Sequence, residues 1–134
     1  MNNLLSILGT GVYLPPARPV HNVVTEAGQD PSGHQGWANS CHALEDDHPS
    51  TMGATALRRA LDDAGVDPAE LKLLLFAGMS RDYLPSWSVA TELMKTSGTK
   101  AHCMGLDITN GCLGALSAMD LAQGWLTAHG GGVA

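Results

Sequence analysis

The chain is organised around the stretch Asp107-Ile-Thr-Asn-Gly-Cys-Leu-Gly-Ala-Leu116. An apolar run ends near Asp107, a short polar turn follows, and a longer apolar run extends from Leu113 to Leu126. This pattern predicts a buried strand, a turn, and a helix that begins at Cys112. Unpaired backbone N–H groups and the positive end of a helix dipole favour a thiolate there. Cys112 is therefore the candidate nucleophile, although free cysteines are more often small buried hydrophobic residues.

Composition restricts the classes of partner. The chain has 134 residues, enough for one compact unit, with 44% hydrophobic and 15% charged residues. Such a low charged fraction suggests a subunit interface or a place within a larger body. The net charge of -6 argues against nucleic acid and anionic membranes as partners. No apolar run is long enough to predict a membrane-spanning helix.

The three cysteines, Cys41, Cys103 and Cys112, show no disulfide or metal-site spacing. Their odd number, and an opening without the features of an export signal, predict a reducing, cytoplasmic setting. We predict no metal site and no permanently bound cofactor.

Strand and helix signals alternate along the chain. Strands are predicted at Leu4 to Val12, Leu71 to Gly78 and Ala101 to Ile108; helices at Ser50 to Gly65, Ser86 to Ser97 and Cys112 to about Ala128. This order predicts an α/β architecture with a mostly parallel sheet. Ligands gather at the carboxyl ends of such strands, which would bring Cys112 close to the loop 79–85. Cys103, inside its strand, is most simply a core residue.

Other segments carry weaker signals. Residues 15–49 hold four of the six histidines without metal-site spacing, and are predicted to form a solvated or lid-like loop. Trp37 in that loop is either a packing anchor or a flat surface for a ligand ring. Gly9 and Gly11 match no phosphate-loop pattern, so close backbone packing is the better interpretation. The last helix is apolar nearly all round, which predicts burial in a larger body.

Four blocks in order resemble the N-terminal half of a thiolase-fold condensing enzyme, closest to the β-ketoacyl-acyl-carrier-protein synthase III group. The blocks are Ile7 to Pro15, Ala56 to Pro68, Asp82 to Ser86 and Asp107 to Leu116. The resemblance covers Ile7 to about Gly131 and implies that residues 1–134 form one thiolase-like half-domain, with the cysteine at the N-terminus of a buried helix. A motif gains weight from such a structural context.

The resemblance implies that Cys112 attacks an acyl thioester of coenzyme A or an acyl carrier protein. The acyl group would pass to a decarboxylated malonyl unit, or in some relatives to an alcohol or amine, in fatty acid or polyketide biosynthesis. It implies a homodimer in which Leu84 reaches the partner's acyl pocket, and the alternative is that Leu84 is an ordinary apolar loop residue. It places Trp37 where some members stack the adenine of coenzyme A, and Leu113 beside the acyl pocket.

The family pattern is incomplete here. The catalytic His and the Asn or second His come from a C-terminal half, and His102 and His129 match neither. The ending Gly-Gly-Gly-Val-Ala134 looks like a cut before the next core strand, so we expect a second polypeptide or a missing C-terminal half to complete the fold. Residues 38–47 lack an arginine to grip coenzyme A and hold three acids, which favours a carrier-bound or atypical donor. The alternatives are a non-catalytic partner subunit and an inert fragment of a longer enzyme.

Overall fold

The computed structural model describes residues 5–82 and 86–134. In chain order, its strands and helices are β1 (Ala17–Pro19), α1 (Val20–Glu26), β2 (Asn39–Cys41), α2 (Pro49–Ala64), β3 (Leu73–Ala77), α3 (Val89–Ser97), β4 (Met104–Ile108) and α4 (Gly114–Ala128). Strands and helices alternate from α2 onward, as the pattern of apolar runs predicts. The α/β class is therefore confirmed.

The parallel pairing is confined to one pair of strands. β3 and β4 are parallel, in a register that pairs Leu73 with Met104 and Ala77 with Ile108. Val133 adds one parallel bridge to Leu71, and the Lys72 N–H donates to the Val133 carbonyl at 2.9 Å. β1 and β2 form a separate antiparallel pair. Within the described residues, the mostly parallel sheet that we expected is thus one parallel pair, one bridge and one antiparallel pair.

The core lies between this parallel pair and the two helices α2 and α3. Leu73 and Val89 are completely buried. Val89 forms one buried cluster with Leu61, Leu71, Leu74, Ala90, Leu93 and Cys103. The prediction that Cys103 belongs to the core is confirmed. Burial raises the pKa of its thiol, because a thiolate is poorly solvated there.

The helix predicted from Ser50 is confirmed as α2, which begins one residue earlier than predicted. Pro49 is its first residue, and the backbone N–H of His48 donates to Thr51 Oγ1 at 2.9 Å. Proline suits this first position because its missing N–H would have no helical partner. Gly65 ends the helix as predicted, with a left-handed φ of 64°.

The strand predicted at Leu4 to Val12 is wrong for the residues from 5 onward. This segment pairs with no strand in the described chain, and Ile7 and Leu8 are exposed. Its two glycines lie directly on α2 instead: a Cβ added at Gly9 would come within 2.6 Å of the Ala64 nitrogen. A Cβ at Gly11 would come within 2.5 Å of the nitrogen of Ala60. Close backbone packing of the glycines is confirmed, and it holds the segment on a helix rather than in a sheet.

Residues 15–49 are more ordered than the lid-like loop that we expected. They contain β1, α1, β2 and a 3-10 turn at Pro31–His34. An ion pair between Arg18 and Glu26, 2.7 Å long, joins the first strand to the end of the helix. These elements were missed because segments of three to seven residues are too short to show a hydrophobic period.

The last helix, α4, is less buried in this chain than its composition suggests. Its buried residues are Gly114, Ala122 and Leu126, while Leu116, Met119 and Leu121 are exposed. Its burial in a larger body stays a prediction. No helix within residues 5–82 or 86–134 combines the length and the apolar character needed to cross a membrane.

Candidate active site

The turn after β4 carries Cys112 at the carboxyl end of the parallel pair. Gly111 has a φ of 49°, a conformation that glycine adopts without strain, and Gly111–Leu113 form a 3-10 turn that leads into α4. The helix therefore starts two residues after the predicted position, and Cys112 lies in the preceding turn. Its thiol is free and the residue is exposed.

The hydrogen bonds of this turn do not use the backbone N–H of Cys112. The first hydrogen bond of the turn runs from the Leu113 N–H to the carbonyl of Asn110, at 3.1 Å. Cys112 comes one residue earlier, so the turn does not use its N–H. A thiol with a backbone donor on the same residue is the combination that acyl transfer requires, because the donor stabilises the oxyanion formed by attack of the sulfur.

Two contacts fix the turn to its surroundings on the helical side. Gly114 is buried, and a Cβ added there would lie 3.4 Å from the Cβ of Ala77, so the start of α4 packs on the end of β3. The Asn110 Nδ2 donates to Ser117 Oγ at 2.8 Å, which ties the turn to the first part of the helix. The cysteine turn is thus held both by the packing of Gly114 and by a side-chain hydrogen bond.

Asp107, near the end of β4, caps the helix α3. Its carboxylate accepts hydrogen bonds from the backbone N–H groups of Val89 at 3.0 Å and Ala90 at 2.8 Å, and from Ser88 Oγ at 3.2 Å. A carboxylate at a helix N-terminus satisfies unpaired donors and complements the dipole. Sequence reasoning missed this role, although Ser88, an N-cap residue type before an apolar stretch, was a signal that the helix begins there and not at Ser86.

Arg81 links the loop after β3 to the turn after β4. Its Nη2 donates to Thr109 Oγ1 at 3.2 Å, and its Nε lies 3.5 Å from Asp107 Oδ2. The two loops meet at these side chains, in line with the expectation that both lie at the carboxyl ends of neighbouring strands. Sequence reasoning did not identify Arg81, because nothing in a pattern of apolar runs signals a contact between two loops.

The neighbouring residue, Asp82, contacts the start of α2 instead. Its carboxylate accepts from the backbone N–H of Ser50 at 3.1 Å and also from the Ser50 hydroxyl. Ser50 is buried and lies in the first turn of α2. A short loop therefore connects the start of one helix, through Asp82, with the cysteine turn, through Arg81.

The predicted ligand-binding residues are not all brought together. Leu113 is adjacent to Cys112 and its side chain is 61% exposed. Trp37 is 70% exposed and lies edge-on to His34, with ring centroids 6.5 Å apart, within the segment 15–49. The described contacts of Trp37 do not join it to the cysteine turn. Leu84 lies outside the described residues.

The acidic segment after Trp37 is held by its own hydrogen bonds. Asp47 accepts from the Leu44 N–H at 2.8 Å and from the Tyr13 hydroxyl at 2.6 Å. These bonds, the backbone one first, lower the pKa of the Asp47 carboxyl. The same contact raises the pKa of Tyr13, whose hydroxyl donates to the carboxylate. Across the described ranges, no three His, Cys, Asp or Glu side chains are grouped as metal ligands would be.

A large apolar groove lies away from the cysteine. It has a volume of about 760 Å³ and is bordered by residues 5–11, α2, β3, α4 and residues 131–134. Neither Cys112 nor Trp37 lines it. The chemistry of the site is therefore assigned from the cysteine turn and not from the volume of this groove.

Comparison with known proteins finds relatives among alkyltransferases and β-ketoacyl-[acyl-carrier-protein] synthases. No protein-family model matches the chain. The acyl-CoA:acyl-CoA alkyltransferase of Xanthomonas campestris pv. campestris is 36% identical over 78 residues, which is 58% of this chain and 23% of that protein. The β-ketoacyl-[acyl-carrier-protein] synthase III of Neisseria meningitidis serogroup C is 29% identical over 127 residues, which is 90% of this chain and 38% of that protein.

Structural comparison agrees with the sequence relatives. The crystal structure of 3-oxoacyl-(acyl carrier protein) synthase III from Xanthomonas oryzae pv. oryzae superposes with a TM-score of 0.78 at 28% sequence identity. The match covers 90% of this chain and 39% of that one. The chain therefore spans less than half the length of the relatives that it matches. Its homologues and structural neighbours are thiolase-fold condensing enzymes of the synthase III and alkyltransferase type, and it shares their fold over about 90% of its length.

Proposed function

We propose that the chain takes part in acyl transfer through a thioester on Cys112, as part of a condensing enzyme similar to β-ketoacyl-acyl-carrier-protein synthase III. The observation that carries the proposal is the exposed, free thiol of Cys112 in the turn after β4, with its own N–H unused by that turn. The sequence relatives are condensing or alkyl-transferring enzymes, which supports the same class of reaction.

The step has a simple balance of bonds. The Cys112 thiolate attacks the carbonyl carbon of an acyl thioester, and the resulting oxyanion accepts a hydrogen bond from the N–H of the same residue. The intermediate collapses as its bond to the departing thiolate breaks, and the acyl group stays on the Cys112 sulfur. The departing thiol takes up a proton from solvent. A later acceptor removes the acyl group and regenerates the thiol.

The proposal includes the donor and the partners. The donor is an acyl thioester of coenzyme A or of an acyl carrier protein. Residues 38–47 hold three acids and no arginine, so they lack a charged donor for the 3′-phosphate of coenzyme A. This favours a carrier-bound or atypical acyl donor. Leu113, exposed beside Cys112, would border the acyl chain, and Trp37, exposed at 70%, would offer a flat surface to a ligand ring. The role of Leu84 at a partner's pocket belongs to the same proposal.

The working assembly is also part of the proposal. We expect a homodimer of the condensing-enzyme type, and a C-terminal half that supplies the His and Asn for proton transfer. The exposed apolar side chains of α4 support the expectation of a covering partner. Three unpaired cysteines support a reducing, cytoplasmic setting, in which a free nucleophilic thiol persists. Fatty acid or polyketide biosynthesis is the class of pathway that such a reaction serves.

Acylation of the cysteine tests the proposal directly. The chain is incubated at neutral pH with acyl-coenzyme A and, separately, with acyl carrier protein loaded with the same acyl group, and its intact mass is recorded. We expect one acyl adduct that hydroxylamine removes, as it removes a thioester. Peptide mapping should place the adduct on Cys112.

The cysteine variants serve as controls. Cys112→Ser should abolish the hydroxylamine-sensitive adduct, and Cys41→Ser, which removes the other exposed thiol, should leave it unchanged. An adduct that persists in Cys112→Ser, or that is absent with both donors, would contradict the proposed function.

A further inference from the structure

We infer that Arg81 is a positioning residue for Cys112, holding the turn that carries the thiol through its contact with Thr109. The inference rests on the proposed function, since a positioned thiol has a purpose only if Cys112 reacts. The guanidinium lies in the loop after β3, while Cys112 lies in the turn after β4. Arg81 therefore acts through Thr109 and does not act as a catalytic residue.

The contacts of Arg81 define its role. Its Nη2 donates to Thr109 Oγ1 at 3.2 Å, and its Nε lies 3.5 Å from the Asp107 carboxylate. Asp107 is itself held by the first N–H groups of α3, so the guanidinium rests on a fixed acceptor. A planar fork of donors is suited to span two acceptors at once. Thr109 is thereby fixed relative to the rigid part of the molecule.

Thr109 is the first residue after β4 and precedes Cys112 by three residues. The next residue, Asn110, is tied to α4 by its bond to Ser117, at 2.8 Å. The two side-chain contacts thus restrain consecutive residues, Thr109 and Asn110, that lead into Cys112. Because the N–H of Cys112 must meet an oxyanion at hydrogen-bond distance, small displacements of this turn are expected to affect acylation.

The contact contributes little to the stability of the whole chain. The Arg81 side chain is 34% exposed, and an ion pair at such a position is screened by solvent. A substitution of Arg81 should therefore leave the fold intact while it loosens the turn. This separation makes the inference testable by local measurements.

Hydrogen exchange of the peptide that covers residues 109–113 is the first measurement, made on the whole 134-residue chain. Arg81→Met should speed exchange there by roughly three- to tenfold, the change expected from the loss of one hydrogen bond. Arg81→Lys, which keeps a charged donor, should restore most of the protection. Arg58→Met is the matched control, because Arg58 lies on the exposed face of α2 and should change nothing in the turn.

A double-mutant comparison tests the path through Thr109. Thr109→Val removes the acceptor and Thr109→Ser keeps it, so only the valine variant should mimic Arg81→Met. The double variant, Arg81→Met with Thr109→Val, should exchange no faster than either single variant, because both remove the same contact. Effects that add in full would overturn the inference, since Arg81 would then act by another route.

The acylation of Cys112 separates this inference from the proposed function. Arg81→Met should slow acylation by about the same factor as it speeds exchange, with Arg81→Lys intermediate, while Cys103 stays protected from alkylation as a check of the fold. Unchanged exchange at 109–113 in Arg81→Met would overturn the inference and leave the proposed function standing. A wild-type chain that is never acylated, but whose turn loosens in Arg81→Met, would contradict the proposed function alone.

Discussion

The two ends of β4 place two cysteines in opposite environments. Cys103 comes directly before the strand, is buried among Leu71, Leu74 and Val89, and has a raised pKa because burial disfavours its thiolate. Cys112 follows the strand by four residues, in a turn where its side chain is exposed. One strand thus carries a packing thiol at its amino end and a reachable thiol at its carboxyl end.

For these two cysteines, the position on the fold, more than the residue type, determines the environment of the thiol. The amino end of β4 is covered by α2 and α3, which pack with β3 around the completely buried Val89. The carboxyl end opens into loops held by side-chain hydrogen bonds, such as that of Arg81 to Thr109. Burial therefore stabilises the amino end of β4, and side-chain hydrogen bonds hold the loops at its carboxyl end, where Cys112 is exposed.

The largest expected effect contrasts the packed region with the exposed helix. Leu73→Ala should lower the free energy of unfolding by about 2–5 kcal/mol, because it leaves a cavity at a completely buried position. Leu116→Ala, at a residue that is 65% exposed on α4, should change it by less than about 0.5 kcal/mol. Urea denaturation of both variants measures the contrast. If both variants lose the same free energy of unfolding, Leu116 is packed against other residues of this chain, which would contradict its exposed position.

The sequence predicts the packed region well, and the reason lies in the length of its elements. α2 has 16 residues and shows an apolar stripe on one face, β3 is an uninterrupted apolar run, and β4 is mostly apolar up to Asp107. Long apolar patterns of this kind arise because one face of the element is buried, so they can be read from the sequence. The core position of Cys103 follows from the same pattern.

The other regions depend on contacts that a pattern does not contain. Residues 5–12 are apolar enough for a strand, but Gly9 and Gly11 let their backbone pack on α2. Asp107 caps α3 by accepting from Val89 and Ala90, which precede it by 18 and 17 positions in the sequence. The contact of Arg81 with Thr109 likewise joins two separate loops. The position of Cys112 after a strand was predictable because it needs only the local order of strand, turn and helix.

An intermediate effect is expected at the junction of the two regions. Asp107→Ala should lower the free energy of unfolding by about 2 kcal/mol, because the first N–H groups of α3 lose a nearly buried acceptor. Asp120→Ala, on an exposed part of α4, should have little effect. Thermal or urea unfolding measures both. Two equal values would show that capping by Asp107 does not hold the helix.

The smallest expected effect concerns the segment 5–13, which lies on the surface of α2. The pKa of Asp47 is lowered by the Leu44 N–H and the Tyr13 hydroxyl, so its stabilising effect is present above pH about 4 and is lost as the pH falls further. The pKa of Tyr13 is raised by Asp47, so its contribution is present below pH about 10 and is lost as the pH rises beyond that.

The variant Tyr13→Phe isolates this contact. The difference in urea midpoint between wild type and Tyr13→Phe should be largest between pH about 5 and 9, and should shrink toward both extremes. Asp47→Asn should remove the loss of stability at acidic pH that comes from this carboxylate. Tyr13→Phe should keep the smaller loss that comes from the bond of the Leu44 N–H to Asp47. A difference that stays constant across the whole pH range would show that the hydroxyl and the carboxylate do not interact.

The contrast between the two ends of β4 is tested most directly by competition among the three thiols. The chain is treated with limiting iodoacetamide at neutral pH, and the labelled peptides are quantified over time. Cys112 should react at least roughly tenfold faster than Cys41, an exposed thiol away from the turn, and Cys103 should stay unlabelled until urea unfolds the chain. Labelling of Cys112 at the rate of Cys41 or slower would contradict its assignment as the nucleophile.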